Sequence, residues 1–201
     1  MSCTQKQQLV CFQKVRVYKP WFRHFNDHKD FRNEGTVHLF SLMALFSYAN
    51  FRSNERVING DRYMEAPGQW ICKLGALPRI LRVHSKAQAL ELMEYFRNHG
   101  FLTFEILDEE KEIQYNYYSY KGSGFFFFPR PVGRLLLKTA RKEVGIVFSE
   151  LDAIMDMWLH TILNDPQVRG SEYMPVVYYS NMRGMPLLSY TYLARRWGWS
   201  K

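Results

Sequence analysis

Apolar residues recur along this chain with two periods, one helical and one strand-like. Between residues 34 and 51, EGTVHLFSLMALFSYANF sets Val37, Phe40, Ala44 and Tyr48 on one stripe, and Leu39, Leu42 and Phe46 widen it until little polar face is left. That pattern predicts a buried helix starting near Glu34. In SKAQALELMEYFRNHG, residues 85–100, Ala89, Leu92, Met93 and Phe96 recur at i, i+3, i+4 and i+7, with Ser85 placed as N-cap and Gly100 as stop. The period then changes to two: FLTFEIL and IQYNYY alternate on either side of DEEKE, which predicts a β-hairpin. Further on, Ser149 with Asp152 at the third helical position forms a capping box for SELDAIMDMWLHTILND, whose stripe is Leu151, Ile154, Met155, Trp158 and Ile162.

Weaker patterns fill the gaps. RVINGDRYMEAPGQW carries two turn pairs, Asn59-Gly60 and Pro67-Gly68, and leads into a β-like piece at 69–72. A helix over 74–82 is confined by Pro78 to about one turn on either side. The order helix, short strand, helix, helix, hairpin is that of a winged helix. Residues 1–33 read as a polar, aromatic arm in which only Val15 and Val17 alternate. Residues 122–148, GSGFFFFPRPVGRLLLKTARKEVGIVF, read as a connector, and a loop with a strand near 176–179 follows the capped helix. The chain closes on LLSYTYLARRWGWSK, a short amphipathic helix with a turn at Gly198. The fold class expected is therefore α+β, mainly helical: a basic arm (1–33), a winged helix-turn-helix domain with a small hairpin wing (34–121), a basic connector (122–148) and a helical C-terminal unit (149–201).

Composition narrows the class. With 47% hydrophobic and 16% aromatic residues in 201, the chain is too apolar for wholesale disorder. No stretch approaches the roughly 18 consecutive apolar residues of a membrane span, and the N-terminal apolar run is too short for a signal peptide. A cytoplasmic protein without membrane contact is expected. Cys3, Cys11 and Cys72 have neither CxxC nor CxxxxC spacing, which argues against a disulfide framework and a cysteine-built zinc site. The net charge of +8 is uneven: residues 1–60 carry nine Lys/Arg against four Asp/Glu, 61–121 eight against nine, and 122–201 ten against six. A basic balance favours polyanionic partners. Its densest run is Arg130, Arg134, Lys138, Arg141 and Lys142, with no acid among them.

Two stretches resemble the winged-helix replication initiators, replisome organisers and transcriptional regulators of bacterial mobile elements and phages. GQWICKLGALPRILRVHSKAQALELMEYFRNHGFLTFEI is similar to the helix, turn, reading helix and first wing strand of one winged helix. FSELDAIMDMWLHTILND with PLLSYTYLARRWGWSK is similar to the first two helices of a second, whose family pattern would continue past Ser200-Lys201 into its own reading helix. The resemblance implies a DNA-binding protein. Ser85, Lys86 and Gln88 would face bases, while Lys73, Arg79 and Arg82 would hold backbone phosphates. It also implies that an unfinished second unit would leave Trp197 and Trp199 uncovered and open to a partner chain or a second copy.

The residues keep other readings open. Glu91 and Glu94 lie on the outer face of the expected reading helix, and the wing tip Asp108, Glu109, Glu110, Lys111, Glu112 is acidic. A protein-interaction or dimerisation module that does not read DNA fits those charges equally well. The phenylalanines at 125–128 and Tyr115, Tyr117, Tyr118 and Tyr120 could stack on unpaired bases, although core packing is the commoner use of such residues. His24 and His28 stand at i, i+4 without a third metal ligand or HExxH context. No GxxxxGK[ST], GxGxxG or GxSxG occurs, and Cys72 with His84 lacks an orienting partner. The expectation is DNA, duplex or single-stranded, as partner, with no catalysis, metal, cofactor or small-molecule substrate.

Overall fold

The computed structural model describes residues 14–27, 31, 33–50, 52–107, 124–165, 168–177 and 189–199. Among them it is an α+β protein with seven α-helices and three two-stranded sheets. The elements form two compact units, between which the chain passes back and forth: Met1–Val17, Asp30–Phe40 and Phe127–Lys201 make one, Tyr18–Lys29 and Ser41–Phe126 the other.

The second unit opens with α1, Lys19–Asp27, in what reads from sequence as an arm. Pro20 suits a first helical turn, and Phe22 is buried with its ring 6.0 Å from that of Phe126. Helix α2, Leu39–Tyr48, begins five residues later than its apolar pattern suggests. His38 has φ 59°, which a right-handed helix cannot contain. Leu42, Met43 and Ala44 are buried, as expected of a helix apolar on nearly every side. Its buried Ser41 hydroxyl donates to the Leu81 carbonyl at 3.0 Å.

A hairpin follows where only a turn was legible. Strands β2, Asn54–Ile58, and β3, Asp61–Glu65, pair antiparallel from Ile58 opposite Asp61 to Asn54 opposite Glu65. Asn59 and Gly60 both have positive φ, 58° and 95°, as the tight hairpin turn matching strand twist requires. The base of the hairpin is held by Glu65, whose fully buried carboxylate accepts from Ile71 N at 2.7 Å, Asn54 Nδ2 at 3.3 Å and Asn50 Nδ2, and pairs with Arg56 Nε at 3.2 Å. Arg56 Nη1 donates to the Ile71 carbonyl at 2.7 Å. Residues 69–72 form no strand: both backbone groups of Ile71 are taken by these side chains, and those of Gln69 bond the Ala66 carbonyl and the Asn50 N–H. Cys72 lies beside this knot, and burial pushes its thiol up to about 12, with Arg56 pulling it down and Glu65 adding to the rise.

A 3₁₀ turn, Leu74–Ala76, runs into the short helix α3, Leu77–Leu81, which ends at Arg82 in the left-handed conformation. Helix α4, Lys86–Asn98, starts at the expected Ser85 cap and buries the expected Ala89, Leu92, Met93 and Phe96. The hairpin expected after it is absent from residues 101–107, which form no strand. Their aromatics fold back onto α4 instead: Phe101 packs edge-on against Phe96 at 6.3 Å and Arg97 lies 5.0 Å over Phe104. DEEKE and IQYNYY lie outside the described residues.

The first unit contains the last three helices. The expected connector holds strand β4, Phe125–Pro129, and helix α5, Arg130–Glu143. β4 pairs with β1, Lys14–Tyr18. Helix α6, Glu150–Leu159, begins with the capping box formed in both directions, Ser149 Oγ accepting from Asp152 N at 2.9 Å and Asp152 accepting from Ser149 N at 3.4 Å. The same carboxylate also accepts from Phe40 N at 2.8 Å, so Asp152 caps the start of α2 as well as its own helix. Burial raises the Asp152 carboxyl, against the pull of these donors and of His38, and burial lowers His38. The short strands β5, Thr161–Ile162, and β6, Val176–Val177, pair antiparallel.

Helix α7, Tyr190–Trp197, is the amphipathic C-terminal helix, closed by Gly198 at φ 69°. Trp197 is not left uncovered, and Trp199, just past the helix, is half-buried. Trp197 is 5% exposed and its Nε1 donates to Asp156 at 2.9 Å; Trp199 Nε1 donates to the Phe148 carbonyl at 2.7 Å. Asp156, buried on α6, further accepts two bonds from Arg196, at 2.6 and 2.7 Å. Trp197 is covered because the carboxylate that satisfies Arg196 also receives the indole beside it. No described helix is long and apolar enough to cross a membrane.

Candidate nucleic-acid interface

Helix α5 starts straight from β4, with Pro129 as its N-cap and Pro131 in its first turn, where a missing N–H costs nothing. One side is buried along Gly133, Leu136 and Ala140. Gly133 lets the helix approach closely there: a Cβ would stand 2.6 Å from Leu159 Cδ2, and that side chain would have to shift. The opposite side carries Arg134, Lys138, Arg141 and Lys142, all exposed. Spacing of i, i+4, i+7 and i+8 holds them within a single stripe, about 12 Å long at 1.5 Å per residue. Arg141 and Lys142 occupy the last turn, where cations meet the negative end of the helix dipole. Among the described residues, none of these four is ion-paired with an acid.

Arg130, the fifth of the basic run, is separated from them by burial. Its Nη2 donates to the Thr161 carbonyl, and burial together with the neighbouring Arg134 lowers its guanidinium to about 10. It ties α5 to the segment after α6. The bond spans 31 positions, and no local pattern signals it.

The expected reading corner lies in the other unit. Arg79 on α3 and Ser85, Lys86 and Gln88 at the start of α4 are exposed, Arg82 partly so, and Lys73 is buried. Two of the expected base-facing groups already serve the helix end. Ser85 Oγ accepts from Gln88 N at 3.1 Å, and Gln88 Oε1 accepts from His84 N at 2.9 Å. Lys86 and Arg79 are exposed. Farther along α4, Glu91 is exposed, and Glu94 is ion-paired with Arg97, so part of the acidic character of that face is neutralised within the helix.

β1 and β4 supply a feature that the sequence shows only as a phenylalanine run. Phe126 and Phe128 are buried, whereas Phe125 and Phe127 are 40% and 50% exposed. In β1, Val15 and Val17 are buried and Lys14 and Arg16 exposed. Arg16 lies 5.9 Å over the Phe127 ring, which puts both on the outer face of the sheet. Among the described residues no group of three His, Cys, Asp or Glu gathers as metal ligands, and His28 lies outside them. No protein-family model, curated protein or solved structure matches this chain significantly.

Proposed function

We propose that this is a DNA-binding protein of transcription control or replication initiation in a mobile element, cytoplasmic and without chemistry of its own, which grips the phosphate backbone through the outer face of α5. The observation that carries the reading is the stripe of Arg134, Lys138, Arg141 and Lys142, exposed and unpaired with acids among the described residues. Cations in that state hold counterion-releasing capacity that a phosphate backbone can use. The α3–turn–α4 corner is read as a helix-turn-helix of the winged type, with Lys86 and Arg79 toward DNA and Ser85 and Gln88 fixing the start of the reading helix.

The test is fluorescence anisotropy with a labelled duplex over a salt series. Replacing all four α5 cations with alanine should weaken binding and flatten the slope of log affinity against log salt by about 3.6, since each B-DNA phosphate contact contributes about 0.9. Unchanged affinity and slope would remove α5 from the interface. A protein-interaction module is the second reading, favoured by exposed Glu91 on the outer face of α4. Absence of duplex binding by the wild-type chain even at low salt would decide for it.

A further inference from the structure

We infer that the outer face of the β1/β4 sheet is a stacking platform for single-stranded nucleic acid. The inference rests on the reading of the protein as a nucleic-acid binder and names a second ligand form. Buried Phe126 and Phe128 fix the register of β4, so its remaining phenylalanines must point outward. Phe127 is half exposed, although the buried face shows that this chain has room for phenylalanine inside. Beside it on β1 stand Arg16, over the Phe127 ring at 5.9 Å, and Lys14, both exposed, with no acidic residue in either strand. Rings for bases and cations for phosphates are the two components of sequence-tolerant single-strand binding.

Spacing selects the single strand over the duplex. Residues two apart on a strand are about 6.7 Å apart, and Phe125 and Phe127 are two apart on β4. That is about twice the 3.4 Å rise per nucleotide along one strand of a duplex. Bases seated on both rings must be unstacked from one another, which a paired duplex resists and a free strand allows. The basic neighbours match the charge of the backbone that would run alongside.

The experiment compares labelled oligodeoxythymidylate and oligouridylate of one length with a mixed-sequence duplex, using the full chain and the variant carrying Phe125→Leu and Phe127→Leu, which keeps apolar bulk in the strand while removing both rings. Circular dichroism checks the fold of every variant, and Arg16→Ala gives an independent probe at the surface. The inference expects the double variant to lose about tenfold or more in affinity for single strands while duplex affinity stays within about twofold. Tighter binding of one oligonucleotide than the other identifies the natural strand and supports the inference. It is overturned if single strands bind the double variant as tightly as the wild type, or if single-strand and duplex affinities fall together. Failure of the α5 reading is separate: it shows as a duplex slope unmoved by the four α5 alanines, whatever the single strands do.

Discussion

Two buried carboxylates decide how the first unit holds together, and they titrate in opposite directions. Burial alone would raise Asp156, but the hydrogen bonds and charges of Arg196 and His160 hold it well below the usual carboxylate range. Asp152 receives only neutral backbone and hydroxyl partners besides His38, and burial wins. Replacing Asp156 with asparagine removes the charge that satisfies Arg196 and should cost about 3–5 kcal/mol, as for a broken buried pair, read by urea unfolding followed through tryptophan fluorescence. A depressed carboxylate stabilises fully above its unfolded pKa. The gap between wild type and variant should therefore be constant above about pH 4 and shrink as pH falls toward the folded value. A gap that grows in acid would refute the ion-pair account. Gly198 offers a second residue-scale test: at φ 69° a Cβ would meet the Ile146 carbonyl oxygen at 1.8 Å. Gly198→Ala should lower the melting temperature by several degrees, since the left-handed backbone alone costs about 1–2 kcal/mol before the clash is relieved.

At the scale of elements, legibility follows what each element buries. Helices α4 and α6 were readable because a serine cap precedes an apolar stripe of large residues, Leu92, Met93 and Phe96 in one, Leu151 and Met155 in the other. Helix α5 was not, because Gly133 and Ala140 supply much of its buried stripe and Arg130 shares it, so the apolar period is faint and proline and glycine suggest a loop. Strands β2 and β3 are hidden for a different reason: burial alternates along NERVI and DRYME, but the inner face carries Arg56 and Glu65 while Val57 and Met64 stand exposed, so the apolar residues do not mark the buried face. Conversely, FLTFEIL alternates but packs its rings back on α4. The cations of the candidate site were legible as a run, whereas burial of Arg130 and Lys73 and the capping role of Gln88 depend on partners the run does not show. The hairpin yields its own prediction. Glu65→Ala removes the acceptor shared by Asn50, Asn54, Ile71 and Arg56, so the base of the hairpin should loosen. In a background with Cys3 and Cys11 replaced by serine, Cys72 should react slowly with a thiol reagent at pH 8 and much faster after Glu65→Ala. Equal rates would show that the knot does not shield it.

Across the whole molecule, sequence order and spatial order diverge. A continuous stretch of residues 34–121 contains α2, the hairpin, α3 and α4, and by pattern it should stand as a winged-helix domain. Of that stretch only residues 41–121 fall in the second unit, which also takes in α1 and Phe126 from either side, while residues 34–40 belong to the first. Phe22 and Phe126 are both buried and pack on each other, and Lys19 N donates to the Gly124 carbonyl at 3.0 Å. Each phenylalanine buries a surface whose loss costs about 3–5 kcal/mol when truncated to alanine, and removing both approaches the 5–15 kcal/mol that stabilises a typical domain. A fragment of residues 34–121 should therefore lack a cooperative thermal transition and bind a hydrophobic dye through the uncovered core, whereas residues 18–126 should melt more sharply and bind less dye. Calorimetry of the two fragments decides it. A sharp transition in the shorter one would mean that α2, α3 and α4 close a core without the chain's return through Phe126, and that the interleaving of the units is dispensable to the fold.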